Sequence, residues 1–228
     1  MHTAHVPGTL FLGCGSAEDE VDLWRLMLRS PMTRIVYWPF ALPLSMVPDA
    51  DAWLRGNLDG IAALDELETW LRLDDHARSD LDAAHLLFGG GGNTFGLLDQ
   101  VIRAGHLDPI RRFVAGGGDY YGGSAGAVLA CDDIAIAEGH DPNDALLGDL
   151  AALGLLHGVS ILPHFSEAQL ESAREWAKSR QRTLIGLPEA VGLRHDNGIF
   201  TVVGHGAVHV MDPTSIRSYP AGEVFLLE

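Results

Sequence analysis

Apolar residues fall into two rhythms along this chain. Short, nearly uninterrupted apolar runs at residues 9–13, 33–38, 84–88, 159–162 and 183–187 read as strands buried on both faces. Between them, spacings of three and four mark helices over residues 21–28, 94–104, 109–115 and 166–179. Pro48, at a first helical turn, opens another through residue 58. Ser166 and Gln169 have capping-box spacing at the head of the 166–179 segment. Residues 66–73 fit either period and are assigned to a strand, residues 119–121 form a short strand, and residues 125–130 begin a helix. After Pro188 the rhythm changes. Residues 191–194 and 199–203 flank Asp196-Asn197-Gly198, a hairpin signature, and residues 209–210 and 224–227 read as final antiparallel strands.

Strands alternating with helices predict an α/β fold with a largely parallel sheet, to which the terminal hairpins add antiparallel strands at one edge. The chain has 228 residues, 47% of them hydrophobic, with no linker, repeat or low-complexity run, so residues 1–228 read as a single domain. Nothing approaches the ~18 consecutive apolar residues of a membrane span. Met1-His2-Thr3-Ala4-His5 lacks the positive region and apolar run of a secretory signal. Cys14 and Cys131 are too few for a disulfide framework and read as buried small apolar residues. A cytoplasmic protein with free thiols and no membrane partner is expected. The net charge is −16, with Lys178 the only lysine, which argues against nucleic-acid partners and against anionic substrates unless an arginine reverses the field locally.

Sites in open α/β sheets gather beyond the carboxyl ends of strands. Four chemically capable segments are expected there, on one edge of one sheet. They are the run Gly89-Gly90-Gly91-Gly92-Asn93-Thr94, Ser124, His164 and Glu189. Gly122-Gly123-Ser124-Ala125-Gly126 has the G-x-S-x-G pattern of a nucleophile elbow, in which a sharp strand-to-helix turn exposes the serine hydroxyl. A serine needs a base, and the base needs a partner that holds its tautomer. Ser124, His164 and Glu189 supply these in order, with Asp132, Asp133 and Glu138 as rival partners for the imidazole. An oxyanion hole needs two N–H donors; Ala125 offers one, and the glycine run the other, from Gly92 or Gly91. That run lacks the Lys-Ser/Thr of a phosphate-binding P-loop. His205 and His209 are spaced for one face of a strand but have no accompanying metal motif, so no metal and no cofactor are expected.

The glycine run with Asn93-Thr94-Phe95, then Gly123-Ser124-Ala125-Gly126-Ala127, Pro163-His164-Phe165 and Gly186-Leu187-Pro188-Glu189 together resemble the dipeptidase E (aspartyl dipeptidase) and cyanophycinase family of serine peptidases. The resemblance runs from about residue 10 to residue 203. It implies a flavodoxin-like sheet related to class I glutamine amidotransferases, a cofactor-independent Ser-His pair, and Gly92 and Ala125 as oxyanion donors. Three departures stand out. Gly123 replaces an aromatic usual in that family. The alternative third acid after the elbow helix falls near Gly139, with Glu138 nearest. The loop that reads an N-terminal aspartate is shortened, Phe165 leading directly into a helix.

The expectation is a serine peptidase acting on small peptides through an acyl-enzyme, with Ser124, His164 and Glu189 as triad and Asn93 and Arg174 as substrate contacts. A homodimer is the candidate assembly. Two alternatives use the same residues: a non-catalytic relative that binds a small ligand or partner, and an amidase or esterase on a non-peptide substrate. Arg174, about 12 Å along its helix, is the candidate anchor for an aspartyl side chain, and weak or no preference for N-terminal aspartate is expected.

Overall fold

The computed structural model describes residues 6–28, 34–61, 66–77 and 79–227. The N-terminal signal reading at Met1 to His5, and Thr33 at the start of the second expected strand, lie outside these residues. The strands are β1 (Leu10–Gly13), β2 (Arg34–Trp38), β3 (Glu66–Thr69), β4 (Leu86–Gly89), β5 (Asp119–Gly123), β6 (Val159–Pro163), β7 (Thr183–Leu187), β8 (Val191–Asp196), β9 (Ile199–Gly204), β10 (Ala207–Met211), β11 (Ile216–Pro220) and β12 (Val224–Leu226). The helices are α1 (Val21–Met27), α2 (Ala50–Leu58), α3 (Thr94–Arg103), α4 (Leu107–Ala115), α5 (Ala125–Leu129) and α6 (Leu170–Arg180).

The strands form two sheets. The larger has the order β12-β9-β8-β1-β5-β4-β2-β3; the smaller is β11-β10-β7-β6. From β3 to β1 the larger sheet is parallel, and β8, β9 and β12 extend it antiparallel. This is the mixed α/β architecture that the alternating elements predict. Its parallel strands are continuously apolar because both faces are covered. In β1, Leu10 and Leu12 join the core beneath α3, α4 and α5, while Phe11 joins the opposite core beneath α1 and α2. In β2, Val36 and Trp38 face the first side, and Ile35 and Tyr37 the second. Among the described residues, no helix is long and apolar enough to cross a membrane.

One expectation needs correction. The glycine run and Ser124 end strands β4 and β5 of the larger sheet, whereas His164 and Glu189 follow β6 and β7 of the smaller one. The short helix α5 packs between β5 and β6 and brings the two sheets together. Element boundaries differ in small ways. Pro48 lies in a 3₁₀ turn, Val47–Asp49, that precedes α2. The 166–179 segment opens with a 3₁₀ turn, Glu167–Gln169, where the Ser166 N–H donates to Gln169 Oε1 at 2.8 Å. Strand β11 has no counterpart in the hydrophobic pattern. It is an edge strand, mostly exposed, containing Arg217 and Ser218 and ending at Pro220, the polar composition that edges favour.

Candidate active site

The elbow is built by close packing. Ser124 has φ 50° and ψ −108°, an uncommon conformation for a residue with a side chain. Its N–H donates to Gly13 O at 2.8 Å, which fixes it to the end of β1. The turn is tight enough that a Cβ on Gly126 would lie 2.3 Å from Gly89 O, so only glycine fits there. Tyr120 Oη donates to Gly126 O at 2.7 Å from below.

From this turn the Ser124 hydroxyl meets His164 Nε2 at 2.8 Å, and His164 Nδ1 meets Glu189 Oε1 at 2.5 Å. The rival acids are committed elsewhere. Glu138 pairs with Arg180 at 3.0 Å, Asp133 with Arg182 at 2.5 Å, and Asp132 accepts the Gly158 N–H at 2.8 Å. The three residues singled out in the sequence therefore form one hydrogen-bonded chain, although two sheets carry them.

Backbone donors surround the same point. The Gly90 N–H is bonded to Trp38 O, and the Asn93 N–H to Ala41 O. Between them, the N–H groups of Gly91 and Gly92 have no acceptor among the described residues, nor does that of Ala125 at the start of α5. Gly92 has φ 135°, and a Cβ there would lie 2.0 Å from Ala41 O. Gly91 is the member of the run that lies against the nucleophile: a Cβ on it would be 3.2 Å from Ser124 Cβ. Free N–H groups beside a serine hydroxyl suit a developing oxyanion.

The other two site residues anticipated from the sequence have different surroundings. The Asn93 side chain caps α3, accepting the Gly96 N–H at 2.7 Å and donating to Pro142 O at 2.9 Å. Arg174 is exposed on α6 and lines neither of the two cavities beside Ser124. His205 and His209 both line a shallow surface pocket away from Ser124; His205 lies 3.7 Å from Asp22, and the His209 ring is 5.1 Å from that of Phe165.

Glu20 escaped the sequence reading, and Cys14, buried with a free thiol as expected, has a bonding role that the reading missed. Cys14, just past β1, joins the sheets. Its thiol donates to Leu187 O at 3.3 Å, and its sulfur accepts the His164 N–H at 3.3 Å. That bond holds His164 at φ 56°, a second strained residue in the site. Sγ of Cys14 lies close enough to the His164 and Glu189 ligand atoms for the three to form a metal-sized cluster. Burial pushes the thiol up to about 12, so it is not a thiolate at neutral pH. Beneath Cys14 lies Glu20, 2% exposed, whose carboxylate accepts the N–H of Cys14, the Gly15 N–H at 2.8 Å and the Tyr121 hydroxyl at 2.7 Å. Burial raises its pKa above the usual carboxylate range, and these donors pull it partly back. Gly13 is required here because the Glu20 carboxylate occupies the space of a Cβ. The Gly13-Cys14-Gly15 turn ahead of α1 was the available signal: close-packed small residues with an acid at the helix entrance.

Two cavities flank the serine. One, of about 390 Å³, is bordered by Gly90, Gly91 and Gly123. The other, of about 120 Å³, is lined by Ser124 and His164 together with Thr94, His140 and Asp141. Asp141 also accepts the Thr94 N–H at 2.8 Å, which anchors the start of α3 beside the site.

Comparison with known proteins gives the family and the fold. Peptidase E of Escherichia coli (strain K12 / DH10B) and that of Shigella boydii serotype 18 are each 35% identical to this chain over 149 residues. The match covers 63% of this chain and 62% of theirs, so the chain spans less than two thirds of these relatives. Two crystal structures share the fold. A peptidase from an acI-B1 Actinobacterium has a TM-score of 0.75 at 21% identity, covering 98% of both chains. A Listeria monocytogenes EGD-e protein assigned to peptidase E has a TM-score of 0.69 at 20% identity, covering 95% of this chain and all of the other. The model of peptidase family S51 matches residues 21–203, from the start of α1 into β9, and this chain belongs to that family.

Proposed function

We propose that this chain is a serine peptidase that hydrolyses small peptides through an acyl-enzyme. Ser124 is the nucleophile, His164 the general base and Glu189 the group that orients the imidazole. The observation that carries this reading is the unbroken hydrogen-bonded chain from Ser124 Oγ through both ring nitrogens of His164 to Glu189 Oε1.

The chemistry follows from the atoms. His164 Nε2 takes the hydroxyl proton as Ser124 Oγ attacks the scissile carbonyl carbon. Negative charge then develops on the carbonyl oxygen, where the Ala125 N–H and the free N–H groups of Gly91 and Gly92 are available to receive it. Glu189 stabilises the imidazolium and keeps Nδ1 protonated. The imidazolium gives its proton to the departing amine, and the C–N bond breaks to leave a Ser124 ester. Water attacks that ester with His164 again acting as base, which releases the acid and restores the hydroxyl.

A fluorophosphonate probe tests the reading. Stoichiometric labelling of the wild-type protein at Ser124, lost in Ser124→Ala and strongly slowed in His164→Ala, is the expected result. A folded wild-type protein left unlabelled beside a labelled serine hydrolase would overturn it.

A further inference from the structure

The 390 Å³ cavity beside Ser124 has a composition that specifies a ligand. Its walls include Tyr37, Trp53, Phe88 and Tyr121, with Leu42 and Met46 toward the mouth. Backbone from Gly90, Gly91 and Gly123 forms the side nearest the nucleophile. A side chain at Gly123 would intrude here: its Cβ would stand 3.0 Å from Tyr121 Oη. The glycines thus keep the cavity open right up to the serine.

Its mouth is unusually apolar. Met46 is 53% exposed and Trp53 43% exposed, although Trp53 packs edge-on against the buried Trp24 at 6.2 Å. Exposed apolar surface concentrated beside a catalytic group marks a binding surface. Among the described residues, the one charged residue on the lining is Asp49, and no lysine or arginine lines it. A carboxylate side chain would enter without a partner and meet a like charge, which is costly. A neutral, flat or bulky apolar group meets aromatic faces instead.

The direction of the bound peptide follows from the proton that must move. The leaving nitrogen has to come within reach of His164 Nε2, so the departing residue belongs on the His164 side, over the 120 Å³ cavity. The acyl residue then lies on the opposite side of Ser124, toward Gly91 and Gly123. We infer that the acyl-side residue recognised by this enzyme is aromatic or large and apolar, seated against Trp53, Leu42 and Met46 over the buried rings of Tyr37 and Phe88, and that the departing residue is small. This rests on the serine-peptidase reading above and adds the substrate class to it.

The experiment compares kcat/KM for Phe-Ala, Leu-Ala, Ala-Ala, Asp-Ala and Ala-Phe, each with wild type and Trp53→Ala, alongside fluorophosphonate labelling of Ser124. Phe-Ala should exceed Ala-Ala by at least ~10-fold, the scale of side-chain discrimination in an apolar pocket. Ala-Phe should show no such gain, and Asp-Ala should be no better than Ala-Ala. Trp53→Ala should bring the ratio of kcat/KM for Phe-Ala over Ala-Ala to within about twofold of one, and a ratio that stays at its wild-type value overturns the assignment of this cavity. Labelling at Ser124 with equal rates for Phe-Ala and Ala-Ala, or with the aromatic preference confined to Ala-Phe, overturns the inference and leaves the serine-hydrolase reading standing. Absence of labelling overturns that reading, and the inference with it. Met46→Ala serves as a second variant should Trp53→Ala fail to fold, with the same expected loss on Phe-Ala.

Discussion

The two halves of the candidate active site are held in different ways. On the elbow side, Ser124 rests on Gly122, Gly123 and Ala125, all buried, with Tyr121 wholly buried and Glu20 2% exposed beneath them. On the other side, the His164 and Glu189 side chains are 49% and 52% exposed. The nucleophile is thus fixed by backbone contacts too tight to admit a methyl group. The base and its partner are fixed by a few hydrogen bonds at the ends of β6 and β7. A residue in a strained conformation needs surroundings that over-determine it. Ser124 has these in the packing of α5 against both sheets, and His164 has the thiol of Cys14 and the strand end. The density of the first side keeps the hydroxyl in place, and the openness of the second would leave room for a substrate and for the water of the proposed cycle.

The largest test of this contrast is Ser124→Ala. The hydroxyl contributes little packing, so the melting temperature should stay within a few degrees of wild type while kcat falls by roughly 10⁴-fold or more. Parallel loss of stability and activity would make Ser124 a structural residue. Next comes the exposed side. Glu189→Gln removes the charge that holds the His164 tautomer, and kcat should fall by roughly 100-fold or more with little change in KM. Glu138→Gln breaks only an exposed pair with Arg180 and should stay within about twofold. The reverse ranking would move the orienting role to Glu138.

A smaller effect distinguishes the buried side. Burial raises the Glu20 carboxyl above its ordinary value of 4.5. Between the unfolded and folded pKa values, the folded chain keeps a proton that the unfolded chain has lost. Stability due to this group is therefore greatest below about 4.5 and declines as pH rises through the window above it. Glu20→Gln removes that decline. Its amide oxygen can still accept the Cys14 and Gly15 N–H groups, and its amide N–H can face Tyr121 Oη. Thermal melts from pH 4 to 8 should show the variant gaining on wild type as pH rises, with activity within roughly tenfold. Parallel melting curves would show that Glu20 titrates alike in both states.

Much of the site was legible in the sequence because each chemical residue ends a strand. Tyr121, Leu162 and Leu187 close apolar runs, and Ser124, His164 and Glu189 follow within three residues of them. The division into two sheets was not legible. Periodicity identifies a strand but not its neighbours, and β6 and β7 have the same apolar runs as β4 and β5. Glu20 was hidden for a related reason. An acid beside Asp19 before a helix reads as a solvated first-turn charge; the small residues Gly13-Cys14-Gly15 are the one hint otherwise, and the tertiary approach of Gly13 and Tyr121 shows the carboxylate to be buried. Asn93 shows the converse: its place before α3 is that of a favoured N-cap, and its side chain is spent on that cap.

The smallest expected effect concerns Arg174, and it decides whether the charge of the site recruits an aspartyl substrate. An aspartate side chain bound beside Ser124 needs a cation, because an unpaired carboxylate in a cleft is costly. Among the described residues, no lysine or arginine lines either cavity beside Ser124, and the net charge of −16 opposes approach of an anion. Arg174, exposed on α6, is the candidate cation to test. Arg174→Ala should therefore change kcat/KM for Asp-Leu and for Ala-Leu by less than about twofold at matched ionic strength, with Asp-Leu no better than Ala-Leu in either protein. A wild-type preference for Asp-Leu above about 100-fold, roughly 2.7 kcal/mol, would contradict this. Its loss in Arg174→Ala would show that α6 leans over the cleft in the substrate complex and brings the guanidinium to the aspartate. If the preference survived that substitution, the anchoring group would lie on another element.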